Sequence, residues 1–318
     1  MRKLLGTMLA VAALAVGLNG MAAAEPLRIV ATTSMIGDSA QRVAGDRAEV
    51  VALMGPGVDP HAYRQTRSDI ANVVGSDLVL WHGLYLEAQM EEFFLDLGAR
   101  MPVVAVGEGV SEDQLLSHDD YAGRYDPHVW MDPDLWPQVV VTIRDALIEI
   151  DPKGETVYRA NAEEYLQSIS DLADYAQSVL GSIPEDQRVL ISAHDAFNYF
   201  GNAFDFDVVG IQGISTEAEA GLRRIEDLVS LLVENEISAV FVESSVSDRN
   251  IRALIEGAAA RGHEVAIGGQ LFSDAMGQPG TYEGSYIGMI DHNATTITRA
   301  LGGDAPEQGM QGRLGAGS

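Results

Sequence analysis

Residues 153–180 read KGETVYRANAEEYLQSISDLADYAQSVL, and this stretch decides the fold. Seven apolar residues recur in it at alternating steps of four and three: Tyr158, Ala162, Tyr165, Ile169, Leu172, Ala176 and Val179. Such steps place all seven on one face of a continuous α-helix about 40 Å long. An amphipathic helix packed on a single domain would show the same pattern. However, the helix lies midway between two halves in which strands alternate with helices, and this position predicts that it joins the two halves. Pro184 ends the helix.

On both sides of this helix, short apolar segments alternate with predicted helices. The predicted strands are LRIVATT (27–33), AEVVALM (48–54), DLVLWHG (77–83), PVVAVG (102–107), RVLISAH (188–194), DVVGIQG (207–213), SAVFVES (238–244) and EVAIGG (264–269). Helices are predicted at 34–44 with Ser34 as the cap, at 66–74 with a Thr66/Asp69 capping box, near Asn198, and at 223–235, 249–260 and 285–301. This alternation is typical of parallel βα units and predicts an α/β fold.

The start of the chain is typical of an exported protein. Arg2 and Lys3 precede an apolar run at 4–18, and an Ala-x-Ala site at 22–24 comes directly before Glu25. This order indicates a cleavable secretory signal peptide and not a membrane anchor. The predicted organisation is a signal peptide at 1–24, an N-terminal α/β lobe at 25–152, a linking helix at 153–182, a C-terminal α/β lobe at 183–302 and a flexible Gly-rich tail at 303–318.

Charge and cysteine content exclude several classes of protein. The chain has 47 acidic and 20 basic residues and a formal net charge of −27. A field of that sign repels nucleic acid and anionic membranes and attracts cations. The chain contains no cysteine, which excludes disulfides, thiol catalysis and the cysteine that lipid attachment requires. The missing cysteine indicates a protein that is free in the periplasm and is not lipid-anchored, and we expect it to be a monomer.

Two histidines follow the same Asp-Pro step, in DPHAY (59–63) and in DPHVW (126–130). Proline fixes its own φ and holds the residue before it in an extended conformation. Each loop therefore presents its histidine, His61 or His128, in a defined direction with a carboxylate two residues away. Stiff loops of this kind are suited to hold groups that must not move.

Four potential metal ligands follow strands. His61 and His128 lie on loops after strands, His194 ends the strand VLISAH, and Asp274 follows EVAIGG. Because ligands of open α/β sheets bind at the carboxyl ends of the strands, we expect these side chains, two from each half, to meet in a cleft between the lobes. Three imidazoles and one carboxylate are a complete ligand set for a divalent cation such as zinc, although their wide spacing matches no short motif.

The remaining histidines and several carboxylates are not predicted to bind the metal directly. For His82, His118, His263 and His292 we expect structural or surface positions, with weak metal capture by the acidic loop around His118 as an alternative. Metal-bound histidines usually donate their second ring N–H to a carboxylate or a carbonyl group. The candidates for that role are Asp59, Asp126, Asp132, Asp195 and Glu243, and capping or turn contacts are the alternative for each of them.

Six segments together resemble a known family: DPHAYRQTRSDI (59–70), DPHVWMDP (126–133), SAHDAFNYFG (192–201), VVGIQGISTEAE (208–219), VFVESS (240–245) and GGQLFSDAMG (268–277). The family is that of the zinc/manganese solute-binding proteins of bacterial ABC importers, and the TroA-like members are especially similar. The resemblance implies two (βα) lobes with parallel sheets, joined by one long rigid helix. It also implies one Zn²⁺ or Mn²⁺ ion in the interlobe cleft, bound by His61, His128, His194 and Asp274, and an ABC permease as partner.

Two alternatives to such a carrier are a zinc hydrolase and an adhesin-type surface protein of the same family. Catalytic zinc needs an open coordination position, which four protein ligands would close. The sequence also lacks an HExxH motif, a Ser-centred elbow and a phosphate loop. The missing lipidation cysteine disfavours display at a cell surface, so a non-enzymatic carrier is favoured.

The metal itself stays open between zinc, manganese and iron. Zinc-restricted members of the family usually carry a long histidine-rich loop before the second ligand, and here that segment is short and acidic. Many manganese-restricted members have Glu where this chain has His194. We expect binding of both Zn²⁺ and Mn²⁺, with zinc the tighter ligand in vitro, because imidazole-rich sites follow the Irving–Williams order.

Overall fold

Residues 25–117 and 123–315 are described in the computed structural model of the chain. The predicted signal peptide and His118 lie outside these residues. The strands of the first half are β1 (Leu27–Ala31), β2 (Ala48–Ala52), β3 (Leu78–Trp81) and β4 (Val103–Ala105). All are parallel and form one sheet in the order β2-β1-β3-β4. Its helices are α1 (Ser34–Ala44), α2 (Arg67–Val74), α3 (Glu91–Gly98) and α4 (Trp136–Ile150).

The long helix α5 (Glu155–Leu180) leads into the second half. The strands there are β5 (Val189–His194), β6 (Asp207–Gln212), β7 (Ala239–Glu243) and β8 (Ala266–Leu271). Its helices are α6 (Asn198–Phe204), α7 (Leu222–Glu234), α8 (Arg249–Ala260) and α9 (Tyr286–Ala300). β5 pairs with β6 and β7 with β8, both in parallel, and β5 lies beside β7. The two halves thus repeat one strand order, and the predicted α/β fold with parallel sheets is confirmed.

The start of α2 follows the predicted pattern, and the start of α1 does not. The Thr66 side chain accepts a hydrogen bond from the Asp69 amide, and Asp69 accepts one from the Thr66 amide, so the capping box is present. In α1 the residue at the cap is Thr33, with no side-chain capping bond. The Ser34 hydroxyl instead accepts a hydrogen bond from the Met276 amide at 3.2 Å. A contact with the second half of the chain has taken the place of a local cap.

Helix α5 contacts both halves of the molecule. All seven apolar residues of its predicted face are buried. The helix packs against α1 and α4 of the first half and against α9 of the second, within one hydrophobic cluster that both halves share. Burial of a large apolar side chain stabilises the fold by about 1.5–3 kcal/mol, so separating the halves along this helix would be costly. The exact lobe boundaries stay a prediction.

The end of the chain differs from the predicted flexible tail. Residues 303–315 lie against α9, where the Met310 amide donates to the buried carboxylate of Asp291 at 3.0 Å. Ala305, Met310 and Leu314 pack on the shared hydrophobic cluster. The many glycines of this segment suggested disorder, but its three spaced apolar side chains have a surface on which to be buried.

Candidate metal centre

The two Asp-Pro-His loops have the same local geometry. Asp59 Oδ1 accepts a hydrogen bond from the His61 amide at 2.9 Å, and Asp126 Oδ1 accepts one from the His128 amide at 2.9 Å. Each aspartate thus closes the turn that proline has already stiffened. The sequence repeat is therefore a structural repeat, and it fixes the direction of both histidines.

The four candidate ligands converge in the structure. One nitrogen or oxygen atom from each of His61, His128, His194 and Asp274 lies within 4.8 Å of the other three. The His61 and His128 Nε2 atoms are 3.2 Å apart, and those of His128 and His194 lie 3.4 Å and 3.2 Å from the two carboxylate oxygens of Asp274. Ligand atoms around one tetrahedral zinc ion would be about 3.4 Å apart. The arrangement therefore has the dimensions of a single-ion site.

The site is enclosed and its polar atoms are incompletely paired. No candidate ligand is more than 2% exposed. Among the described residues, His194 Nε2 and Asp274 Oδ1 are buried without a hydrogen bond of good geometry, and their nearest polar neighbours are the other candidate ligands. Atoms of this kind directed at a common point are suited to coordinate a cation.

Carboxylates hold the second ring nitrogen of two of the histidines. Asp126 Oδ1 lies 2.7 Å from His128 Nδ1, and Glu243 Oε2 lies 2.5 Å from His194 Nδ1. Glu243 also accepts a hydrogen bond from the His194 amide at 2.9 Å. These contacts fix each ring so that Nε2 faces the site, and they make the imidazoles better donors. Of the five predicted partners, Asp126 and Glu243 have this geometry.

The other three candidates make turn or strand contacts. Asp59 binds the backbone of His61 and not its ring. Asp132 accepts a hydrogen bond at 2.8 Å from the amide two residues further on. Asp195 accepts one at 2.7 Å from the Gly210 amide and so ties the end of β5 to β6. Asp59 and Asp132 thus make the turn contacts that were the alternative for them, while Asp195 joins two strands and Asp59 also accepts a hydrogen bond from Thr216 of the second half.

Two further hydrogen bonds support the site and are not predicted by the sequence. Asn198 Nδ2 donates to Asp126 Oδ2 at 3.0 Å, and Trp130 Nε1 donates to the Ser273 carbonyl oxygen at 2.9 Å. These bonds join the His128 loop to the second half, and the second one fixes the residue before Asp274. Their motifs, DPHVWMDP, SAHDAFNYFG and GGQLFSDAMG, were recognised, but a pairing between distant motifs cannot be derived from either one alone.

Burial and charge give the three histidines different protonation states. Burial lowers the pKa of His61 to about 3. Burial also acts to lower the pKa of His128, but nearby carboxylates, Asp126 first, outweigh it and raise that pKa to about 9. For His194, burial is again outweighed, chiefly by Asp274, and the pKa is raised well above its usual range. The pKa of Asp274 is well below its usual range, because the imidazoles outweigh the effect of burial. At neutral pH His128 and His194 are therefore both protonated in the metal-free protein. Their two positive charges balance the nearby carboxylates, as a bound divalent cation would.

Replacing Glu243 with glutamine should weaken zinc binding. The variant keeps the size of the side chain but removes the negative charge that orients His194, and loss of such a partner typically costs about 10- to 100-fold in metal affinity. Competition with a chromophoric chelator at pH 7.5 measures the change. The matched control is Glu234→Gln at the exposed end of α7. An unchanged affinity in Glu243→Gln would contradict this role.

Comparison with known proteins supplies close relatives. Residues 29–300 match the family model described as ZnuA, zinc-uptake complex component A, periplasmic. The chain is 44% identical over 282 residues to manganese-binding lipoprotein MntA of Bacillus subtilis (strain 168), covering 89% of this chain and 92% of that protein. It is 41% identical over 277 residues to zinc-binding protein TroA of Treponema pallidum (strain Nichols), covering 87% and 89%. The solved structure of the periplasmic zinc-binding protein TroA from Treponema pallidum superposes with a TM-score of 0.85 at 40% identity, covering 87% of this chain and 99% of that one.

Proposed function

The chain belongs to the family of the periplasmic zinc-uptake component A, and from this membership we propose that it binds one divalent transition-metal ion, Zn²⁺ or Mn²⁺, and delivers it to the permease of an ABC importer. Members of this family are substrate-binding proteins of ABC transporters, so the chain is not an enzyme. The ion is cargo and not a catalyst. His61, His128, His194 and Asp274 are its proposed ligands.

The observation that carries this proposal is the convergence of four donor side chains within 4.8 Å at a buried point between the two halves. His61 and His128 come from the first half, and His194 and Asp274 come from the second. Four protein ligands complete a tetrahedral zinc site and leave no position for the water that a catalytic zinc activates. This argues for capture of the ion and against a hydrolase, and no observation favours an adhesin.

Metal analysis of the purified protein tests the proposal. We expect protein prepared without added metal to contain about one zinc or manganese ion per chain. The Asp274→Asn variant should retain only a small fraction of that metal, because the single anionic ligand is lost. Asp227→Asn, at an exposed position of α7, is the matched control. A parent protein that neither contains nor takes up Zn²⁺ or Mn²⁺ would overturn the proposed function.

A second part of the proposal concerns where the protein works, its oligomeric state and whether it is anchored. The relatives include both a protein named as a lipoprotein and a protein described as periplasmic. We propose that this chain works in the periplasm as a monomer without a lipid anchor, after cleavage of a signal peptide. The absence of cysteine from the sequence supports the lack of a lipid anchor, and the apolar run at 4–18 with the Ala-x-Ala site at 22–24 supports a cleaved signal peptide. In the described part of the chain, no helix combines the length and the apolar character needed to cross a membrane. Cell fractionation, intact-mass measurement and light scattering test these three points.

A further inference from the structure

The His61 ring is the least restrained of the three imidazoles. Among the described residues its Nδ1 makes no hydrogen bond, whereas carboxylates hold this atom in His128 and His194. The position of His61 depends instead on its backbone, whose amide donates to Asp59 Oδ1 at 2.9 Å. Anything that moves Asp59 therefore moves His61 away from the other three candidate ligands.

The second oxygen of Asp59 is held from the opposite half of the molecule. Thr216 Oγ1, on the loop 213–221 between β6 and α7, donates to Asp59 Oδ2 at 2.5 Å. The next residue of the loop, Glu217, accepts a hydrogen bond from Gln89 Nε2 at 2.6 Å. We call the Asp59–Thr216 and Gln89–Glu217 pairs the latch. The latch ties the His61 loop and the first half to the loop 213–221.

Elsewhere the halves are joined by a buried apolar core, together with polar contacts such as Asn198–Asp126 and Ser34–Met276. Trp136 stacks on Tyr286 with ring centroids 5.2 Å apart, and the Trp130 indole donates to the Ser273 carbonyl oxygen. These side chains belong to the buried cluster that α5 shares with both halves. Opening the molecule there would expose large apolar surfaces, whereas opening the latch breaks polar contacts that water can replace. The loop 213–221 is mostly exposed or half-buried, which is typical of segments that open locally.

We propose that release of the latch, with withdrawal of His61, is the step through which the metal ion enters and leaves the site. The proposal rests on the metal-binding function proposed above. The candidate ligands are at most 2% exposed, so an ion cannot reach them unless part of their surroundings moves. Thr216 acts as a positioning residue: it touches Asp59 and not the ion, and it sets the lifetime of the closed site.

The Thr216→Val variant tests the latch, because valine keeps the branched shape and removes only the hydroxyl. A hydrogen bond to a carboxylate is among the stronger ones, so we expect Zn²⁺ to leave the variant about tenfold faster than the parent. Stopped-flow transfer of Zn²⁺ from the loaded protein to excess chelator measures this rate. Thr216→Ser keeps a hydroxyl and should release at the parental rate. Thr281→Val, which removes a hydroxyl bonded to the Gln278 carbonyl on an exposed loop, is the matched control.

The outcomes separate the latch from the function on which it rests. A parental release rate in Thr216→Val, or equal acceleration in Thr281→Val, would overturn the latch while zinc binding by the parent stands. Failure of the parent to bind zinc would overturn the proposed function and the latch with it. Circular dichroism and thermal melting of the metal-free variants identify any misfolded protein. In that event Gln89→Ala, which removes the second, exposed pair of the latch, should also speed release, and a parental rate there would overturn the proposal.

Discussion

Between pH 7.5 and pH 5, the affinity for Zn²⁺ is expected to fall by about 10⁵-fold, because binding of the ion displaces two protons over this whole range. One proton leaves His128, whose pKa in the metal-free protein is raised to about 9. The other leaves His194, whose pKa is raised well above its usual range. His61 contributes no proton, because burial lowers its pKa to about 3. The logarithm of the affinity should therefore rise with pH with a slope of about two.

Chelator competition at several pH values measures this slope, and a pH indicator in weak buffer counts the protons released per ion. A slope near three would mean that His61 is also protonated in the metal-free protein. A slope near zero would contradict coordination by His128 and His194 altogether. A site of three ordinary histidines would be half-protonated near pH 6.5, so its metal affinity would level off above that pH. Here the affinity should keep rising to about pH 9, because the pKa of His128 is raised to about 9.

The stability of the metal-free protein should change with pH in the opposite sense. The pKa of His128 is about 9 in the folded chain and about 6.5 when unfolded. Its contribution to stability is therefore fully present below about pH 6.5 and is lost as the pH rises through about 9. The rise in melting temperature caused by zinc should accordingly grow with pH, since the metal-free reference weakens while the metal complex strengthens.

Two features explain what could be predicted from the sequence: the spacing of apolar residues, and the tendency of ligands to bind at the carboxyl ends of parallel strands. The α5 face was predicted residue by residue, because a step of four and three admits one geometry over 26 residues. The convergence of His61, His128, His194 and Asp274 followed from parallel strands, whose carboxyl ends share one edge. The position of α5 between two halves of alternating strands and helices predicted that it joins them, and the family resemblance implied the same arrangement.

Contacts between distant segments account for what the sequence did not predict. Serine is a common helix-capping residue, but the hydroxyl of Ser34 accepts its hydrogen bond from the Met276 amide, 242 residues away. Asp59 and Asp126 stand in identical tripeptides, yet one carboxylate binds Thr216 and the other binds the ring of His128. The Ser34 and Asp59 contacts depend on a partner in the opposite half of the fold, and the Asp126 contact depends on the orientation of the His128 ring. A local sequence pattern predicts neither the distant partner nor the ring orientation.

Replacing His194 with glutamate is expected to shift selectivity from zinc toward manganese, but only if Glu243 is changed as well. Glu243 Oε2 lies 2.5 Å from His194 Nδ1, so a glutamate at position 194 would bring two carboxylates together in a buried space. Such like charges would raise the pKa of one carboxyl group and weaken binding of any metal. The informative variant is therefore His194→Glu combined with Glu243→Gln, with Glu243→Gln alone as its control.

In the double variant, the ratio of zinc to manganese affinity should fall by about 100-fold, because a harder oxygen donor replaces an imidazole that favours zinc in the Irving–Williams order. Asp274 already directs both carboxylate oxygens at the histidines, at 3.4 Å and 3.2 Å, which suits the higher coordination number that manganese accepts. Titration of both metals into the parent, the control and the double variant gives the ratio directly. If the ratio in the double variant equals that of the control, ligand hardness does not set the selectivity. The spacing that the shared core imposes on the four ligands would then be the property to vary.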